Sequence, residues 1–81
     1  MSKRPHPFDI VVGDCLRRAR EAAKLSQIEL GKVAGITFQQ IQKYEKGINR
    51  VSPSKLYLMA PALGTTPSAI LRRAEMIVAG K

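Results

Sequence analysis

Ser26-Gln27-Ile28-Glu29-Leu30-Gly31-Lys32-Val33-Ala34-Gly35-Ile36-Thr37-Phe38-Gln39-Gln40-Ile41-Gln42-Lys43-Tyr44-Glu45-Lys46-Gly47 is the stretch that decides the fold. Ser26 and Glu29 have the spacing of a capping box: the hydroxyl accepts from the Glu29 N–H, and the carboxylate returns to the Ser26 N–H. Ile28, Leu30 and Val33 then supply apolar contacts over barely two turns. Gly35 offers the left-handed conformation that stops a helix. Thr37 with Gln40 repeats the start signal. A second short helix follows, with Ile41, Tyr44 and Ile48 expected on its inner side and Gly47 as its stop.

Working outward, the flanks are helical too. Asp9 is a plausible N-cap for a helix carrying Val12, Leu16, Ala19 and Ala23 at helical spacing, ending near Lys24 or Leu25. Ser52-Pro53 opens a fourth helix with Leu56, Met59, Ala60 and Leu63 as its stripe and Gly64 as its end. Pro61 falls inside that pattern, so the helix either kinks or ends early there. Thr66-Pro67 opens a fifth, running to about Val78. Its Ala69, Ile70, Leu71, Ala74, Ile77 and Val78 make a wider apolar face than one core contact requires. No strand-like alternation or repeat occurs. The expected architecture is all-α, a compact bundle of five short helices in a single domain over 9–81, with a helix-turn-helix at 26–47. Residues 1–8 are expected to form a flexible basic arm. Lys3 and Arg4 there either touch DNA or belong to a terminus without a function.

Charge narrows the partners. The 81 residues hold 14 Lys+Arg against 6 Asp+Glu, a formal charge of +8. Such an excess favours a polyanion, either nucleic acid or an anionic membrane surface. Between Glu29 and Glu75 the only acid is Glu45, whereas Lys32, Lys43, Lys46, Arg50, Lys55, Arg72 and Arg73 share that stretch. Interspersed surface ion pairing would look different. One cysteine (Cys15) and one histidine (His6) leave no internal disulfide and no zinc-ligand set, so neither metal nor cofactor is expected. Cys15 reads as a small apolar residue of the first helix. Nothing in the chain assembles acid–base or nucleophilic chemistry, and an enzyme is not expected. No stretch has the length of a membrane span or signal-peptide core, which gives a cytoplasmic expectation.

On the third helix, Ile41, Tyr44 and Glu45 should face the bundle, leaving Phe38, Gln39, Gln42, Lys43 and Lys46 outward. A solvated helix face usually mixes Glu with Lys; this one carries no acid. Gln matches the donor–acceptor pair of adenine, and Lys matches guanine O6 and N7. Phe38 has two readings, contact with a thymine methyl or packing over the turn.

The chain resembles the phage-repressor-like (Cro/XRE) helix-turn-helix family over about 12–71. The likeness rests on Val12-Gly13, Leu16-Arg17, Arg20, Leu25-Ser26-Gln27-x-Glu29-Leu30, Gly35-Ile36-Thr37, Ile41 through Gly47 and Ala62-Leu63-Gly64. It implies a lambda-repressor-like, five-helix domain that binds operator DNA, usually as a dimer. Phe38, Gln39 and Lys43 match positions that reach base edges, with Gln42 beside them. Gln27 matches a glutamine that holds a phosphate and braces the recognition helix. Lys46, Asn49, Arg50, Ser52, Ser54 and Lys55 match the segment that follows the DNA backbone. Arg20 and Glu45 match a structural ion pair that sets the recognition helix's angle. Three departures stand out. Gly31 replaces a usual alanine, Cys15 replaces a frequent arginine, and Pro61 has no counterpart.

The resulting expectation is a DNA-binding transcriptional regulator, most simply a repressor at an inverted repeat and associated with the nucleoid. A homodimer would form through Leu71, Ala74 and Val78. An antitoxin that autoregulates its operon falls within that reading; the rival is a protein-interaction module that kept the fold and binds a toxin or polymerase subunit. With little chain after the bundle, no ligand-sensing domain is expected, and control would come from concentration, a partner or competition at the operator.

Overall fold

A computed structural model describes residues 6–80. Five α-helices follow in order: α1 Pro7–Ala22, α2 Gln27–Ala34, α3 Phe38–Glu45, α4 Pro53–Met59 and α5 Pro67–Ala79, with a 3-10 turn at Ala60–Leu63 between the last two. The described residues contain no strand. The all-helical architecture agrees with the expectation, and the exceptions are local.

The first exception is where α1 begins. His6, not Asp9, is the N-cap: its Nδ1 accepts the Phe8 N–H at 3.0 Å, and Asp9 Oδ2 accepts the His6 N–H at 3.0 Å. Asp9 is therefore the third residue of the helix, closing a capping box, and Pro7 occupies the first turn, where its missing N–H costs nothing. Pro7 and Phe8 belong to α1 rather than to an arm; the rest of the expected arm, with Lys3 and Arg4, lies outside the described residues.

The middle of the chain is built as its caps dictate. Ser26 Oγ accepts from the Glu29 N–H at 3.0 Å and the Glu29 carboxylate accepts the Ser26 N–H at 2.8 Å. That backbone N–H, reinforced by the Ser26 hydroxyl, holds the Glu29 carboxyl below its ordinary value. Gly35 terminates α2 at φ 69°, a left-handed conformation that a side chain would strain. Thr37 Oγ1 accepts from the Gln40 N–H at 3.3 Å to start α3.

Pro61 resolves as an early end. The α-helical ladder of α4 stops at Met59 and the chain tightens into 3-10 geometry, so the proline enters the first turn of a new segment. Gly64 then reverses the chain at φ 68°.

The core joins Val12, Cys15 and Leu16 of α1 to Leu30 and Ala34 of α2, Ile41 and Tyr44 of α3, and Leu56, Met59, Ala60 and Leu63 beyond, closed by Ile70 and Ala74 of α5. Helix α1 packs against α5 and α3, while α2 packs on α3 and α4. Three residues expected inside are outside. Ile28 is 54% exposed, and Val33 and Ile48 are exposed as well. An eight-residue helix presents one narrow inner stripe, which Leu30, Gly31 and Ala34 already fill.

Two glycines permit the close packing. A Cβ on Gly13 would lie 2.0 Å from the Tyr44 carbonyl oxygen, so α1 crosses α3 in direct backbone contact. A Cβ on Gly31 would lie 2.7 Å from the Ile36 carbonyl oxygen, where the chain turns from α2 into α3. A side chain at Gly31 would therefore force this turn to shift.

Candidate nucleic-acid interface

Helix α3 is fixed from behind before it presents anything in front. Its inner residues Ile41, Tyr44 and Glu45 are buried, as the sequence predicts. Glu45 lies in the last turn with its side chain only 2% exposed. Arg20 Nε donates to Glu45 Oε2 at 2.6 Å and Arg20 Nη2 donates to Oε1 at 3.0 Å, a fork-on-carboxylate pair. The remaining guanidinium nitrogen donates to the Leu25 carbonyl at 2.9 Å. Glu45 holds the Arg20 pKa above its ordinary value, against the burial that opposes the charge. Gln27 Nε2 adds a third donor to Glu45, at 3.0 Å from Oε1. Gln27 thus links the first turn of α2 to the last turn of α3.

Glu45 is the only acid between Glu29 and Glu75. Its burial leaves that whole stretch without an exposed carboxylate. The outer face of α3 carries Phe38, Gln39 and Lys43 exposed and Gln42 half-buried, followed by exposed Lys46. Phe38, at 42% exposure, is not consumed by packing and stands at the helix start.

Past α3 the chain runs through exposed Lys46, Asn49 and Arg50 to Ser52, Pro53 and Ser54 at the start of α4. Ser52 Oγ caps the Lys55 N–H at 3.2 Å and lies 3.2 Å from Ser54 Oγ. Arg50 Nε stands 3.6 Å from Asp9 Oδ2, loosely paired and largely exposed, so the guanidinium can turn toward an outside anion. Lys55, expected among the backbone contacts, is half-buried, and its ammonium donates to the Ala34 carbonyl at 2.9 Å.

Leu71 and Val78 of α5 are exposed. Ala74, expected beside them at a dimer contact, has no exposure at all and belongs to the core. It lies on the α5 line shared with Ile70, which faces α1, and cannot meet a second copy.

Sequence reading missed the His6 cap, the Gly13–Tyr44 approach and the Lys55–Ala34 bond. Each left a trace: a proline two residues before Asp9, a glycine inside a helix, and a lysine in a first turn, where the helix dipole disfavours it.

Comparison with known proteins agrees with this geometry. A helix-turn-helix family model matches residues 16–70. An uncharacterized HTH-type transcriptional regulator of Sinorhizobium medicae is 50% identical over 66 residues, covering 82% of this chain and 48% of that protein. The uncharacterized HTH-type transcriptional regulator y4wC of Sinorhizobium fredii is 46% identical over 66 residues, 82% of this chain and 46% of its own. The chain thus spans about half the length of these curated relatives. The restriction-modification controller protein C.AhdI from Aeromonas hydrophila superposes with a TM-score of 0.73 at 28% identity, covering 80% of this chain and 98% of its own. The clp gene regulator ClgR from Corynebacterium glutamicum has the same fold, with a TM-score of 0.85 at 23% identity over 91% of this chain and 79% of its own. No helix of the described residues is long and apolar enough to cross a membrane. With matched caps, a braced third helix and an acid-free face in front of it, the chain belongs to the Cro/C1-type helix-turn-helix family of DNA-binding transcriptional regulators.

Proposed function

We propose that this chain regulates transcription by binding double-stranded DNA sequence-specifically, with α3 in the major groove of an inverted-repeat operator, most simply as a repressor. One observation carries the reading: the single acid of the central stretch, Glu45, is buried under Arg20 and Gln27, so the face of α3 offers only amides, ammonium groups and an aromatic ring. Such a face, rigidly backed, is suited to base edges; Gln39, Gln42 and Lys43 are the hydrogen-bonding readers and Phe38 the apolar one. Gln27, Lys46, Asn49, Arg50, Ser52 and Ser54 flank it as phosphate contacts that set register.

Two copies act together. One eight-residue helix gives too few base contacts for tight specific binding at physiological salt. Leu71 and Val78 stand exposed beside Phe8, lining one shallow trough with Glu75 and Ala79. Pairing this side about a two-fold axis covers it and places two copies of α3 in successive major grooves, about 34 Å apart. DNA binding would in turn place the protein at the nucleoid.

The deciding experiment is selection of bound duplexes from a random pool, followed by gel shift. Recovery of a symmetric motif with half-sites about one helical turn apart supports the proposal. A pool that stays random through repeated rounds overturns it and favours a protein partner, such as a toxin or polymerase subunit.

A further inference from the structure

Helix α3 is held firmly at its far end by Arg20 and Gln27, but its near end depends on the turn Gly35-Ile36-Thr37. That turn has its own fastening. The Ile36 N–H donates to the Gly31 carbonyl at 2.9 Å and the Gly35 N–H to the Lys32 carbonyl at 3.3 Å, which satisfies two of the carbonyls orphaned at the end of α2. The Ala34 carbonyl belongs to a residue only 2% exposed in the fold, and its bond is part-buried. Its donor is Lys55 Nζ, 21 positions away in sequence, at 2.9 Å.

The position of Lys55 is informative. It is the third residue of α4, in a first turn that holds no acid. A cation there opposes the dipole of its own helix. The same ammonium sits at the negative end of α2, where the dipole and a buried carbonyl both favour it. The lysine is thus misplaced for α4 and well placed for α2. Its bond ties the start of α4, where Ser52 and Ser54 lie, to the turn that launches α3. These are the two segments whose spacing decides whether base readers and phosphate contacts can engage one duplex together.

We infer that Lys55 is a positioning residue for base reading, setting the spacing between the recognition helix and the phosphate-following segment, and is not itself a phosphate contact. The inference rests on the DNA-reading function proposed above. It makes the Lys55–Ala34 bond the near-end counterpart of the Arg20–Glu45 pair.

Salt dependence separates the roles. A lysine on phosphate contributes about 0.9 to the slope of log K against log salt, whereas a lysine on a protein carbonyl contributes nothing. The probes are the duplex that the wild-type chain selects from a random pool and a random-sequence duplex of equal length. Lys55→Met, which keeps the stem and removes the ammonium, should bind the selected duplex about tenfold more weakly, the scale of one lost bidentate base contact. Its affinity for the random duplex and its salt slope on both should stay as in the wild type. Lys55→Arg, which keeps a charged donor, should retain most of the preference.

A slope reduced by about one per protomer, with equal losses on both duplexes, would make Lys55 a phosphate contact and overturn the inference. Wild-type affinity and slope on both duplexes, with only a lower melting temperature, would overturn it too, by reducing the bond to a fold contact. Should Lys55→Met not fold, Lys55→Gln decides in its place by the same slope criterion, since its amide is a neutral donor. A wild-type chain that shows no preference for its selected duplex would remove the proposed function itself. That result is recognisable because it does not involve Lys55.

Discussion

Arg20 of α1 grips both oxygens of Glu45, 25 positions away in the last turn of α3, at 2.6 and 3.0 Å. The carboxylate is almost wholly buried, and Gln27 donates to it as well. Removing one member of a buried pair leaves the other charge uncompensated, which costs more than the pair itself contributes. Glu45→Gln is expected to destabilise the fold by about 3 kcal/mol. For a domain of this size that lowers the melting temperature by roughly 12–24 °C. Calorimetry checks it; an unchanged midpoint with weakened DNA binding would move Glu45 from scaffold to interface.

Gly31 sets two effects against each other. Replacing an interior glycine by alanine gains about 1 kcal/mol of helix propensity. Here the new methyl would lie 2.7 Å from the Ile36 carbonyl oxygen, backbone that cannot move without shifting the start of α3. Overpacking of this kind costs about 1–3 kcal/mol. The steric cost should win, so Gly31→Ala melts lower than wild type although the family usually carries alanine there. A raised midpoint would show that the turn relaxes freely.

These two sites show what sequence could and could not supply. Helix starts at Gln27, Phe38, Pro53 and Pro67 were legible because each is fixed by a local cap within four residues. The buried face of α3 was legible because Ile41, Tyr44 and Glu45 repeat at helical spacing. What a short helix buries depends instead on what lies against it. Ile28 and Val33 look like core residues in sequence, yet α2 meets its neighbours through Leu30, Gly31 and Ala34. Ala74 and Leu71 are both apolar, and only the packing of α5 on α1 makes one core and the other surface. The Lys55–Ala34 bond spans 21 positions and has no periodic signal at all.

Two carboxylates are expected to make the fold acid-sensitive. Glu29 is held below its ordinary value of 4.5 by the Ser26 N–H, and Asp14 below 3.8 by Arg17 and Arg18. A carboxyl depressed in the folded state favours folding above its unfolded pKa, and that contribution disappears as pH falls through the folded value. Urea midpoints should therefore be level near neutrality and fall below about pH 4.5. Glu29→Gln retains an acceptor for the Ser26 N–H without titrating, so its midpoint should fall less over the same range. Parallel curves for the two proteins would remove the capping box from the acid response.

Base reading and phosphate holding should separate in binding data. Gln39→Ala or Lys43→Ala is expected to cost about 1–3 kcal/mol on the selected duplex and far less on random DNA. Arg50→Ala should weaken both alike, since Arg50 is exposed and only loosely held by Asp9 at 3.6 Å. If two copies together neutralise about six to eight phosphates, log K against log salt slopes near −5 to −7. A slope shallower than about −2, or equal losses on both duplexes for Gln39→Ala, would contradict this division of roles.

Assembly gives the last test. Leu71 is 37% and Val78 43% exposed, seven residues and about two helical turns apart on α5, while Ala74 between them is turned into the core. A carboxylate at Leu71 or Val78 would be desolvated if a second copy covers that side and harmless if water does. Leu71→Glu and Val78→Glu should each keep the fold, because neither side chain belongs to the buried core. Sedimentation should then show monomers where the wild type dimerises. Binding to the selected inverted repeat should weaken far more than binding to a single half-site, because only the repeat uses both copies of α3. Ala74→Glu is the contrasting substitution: it should unfold the domain rather than split a dimer, since Ala74 has no solvent exposure. A wild-type protein that remains monomeric on its best site and protects one asymmetric half-site would overturn the two-fold arrangement.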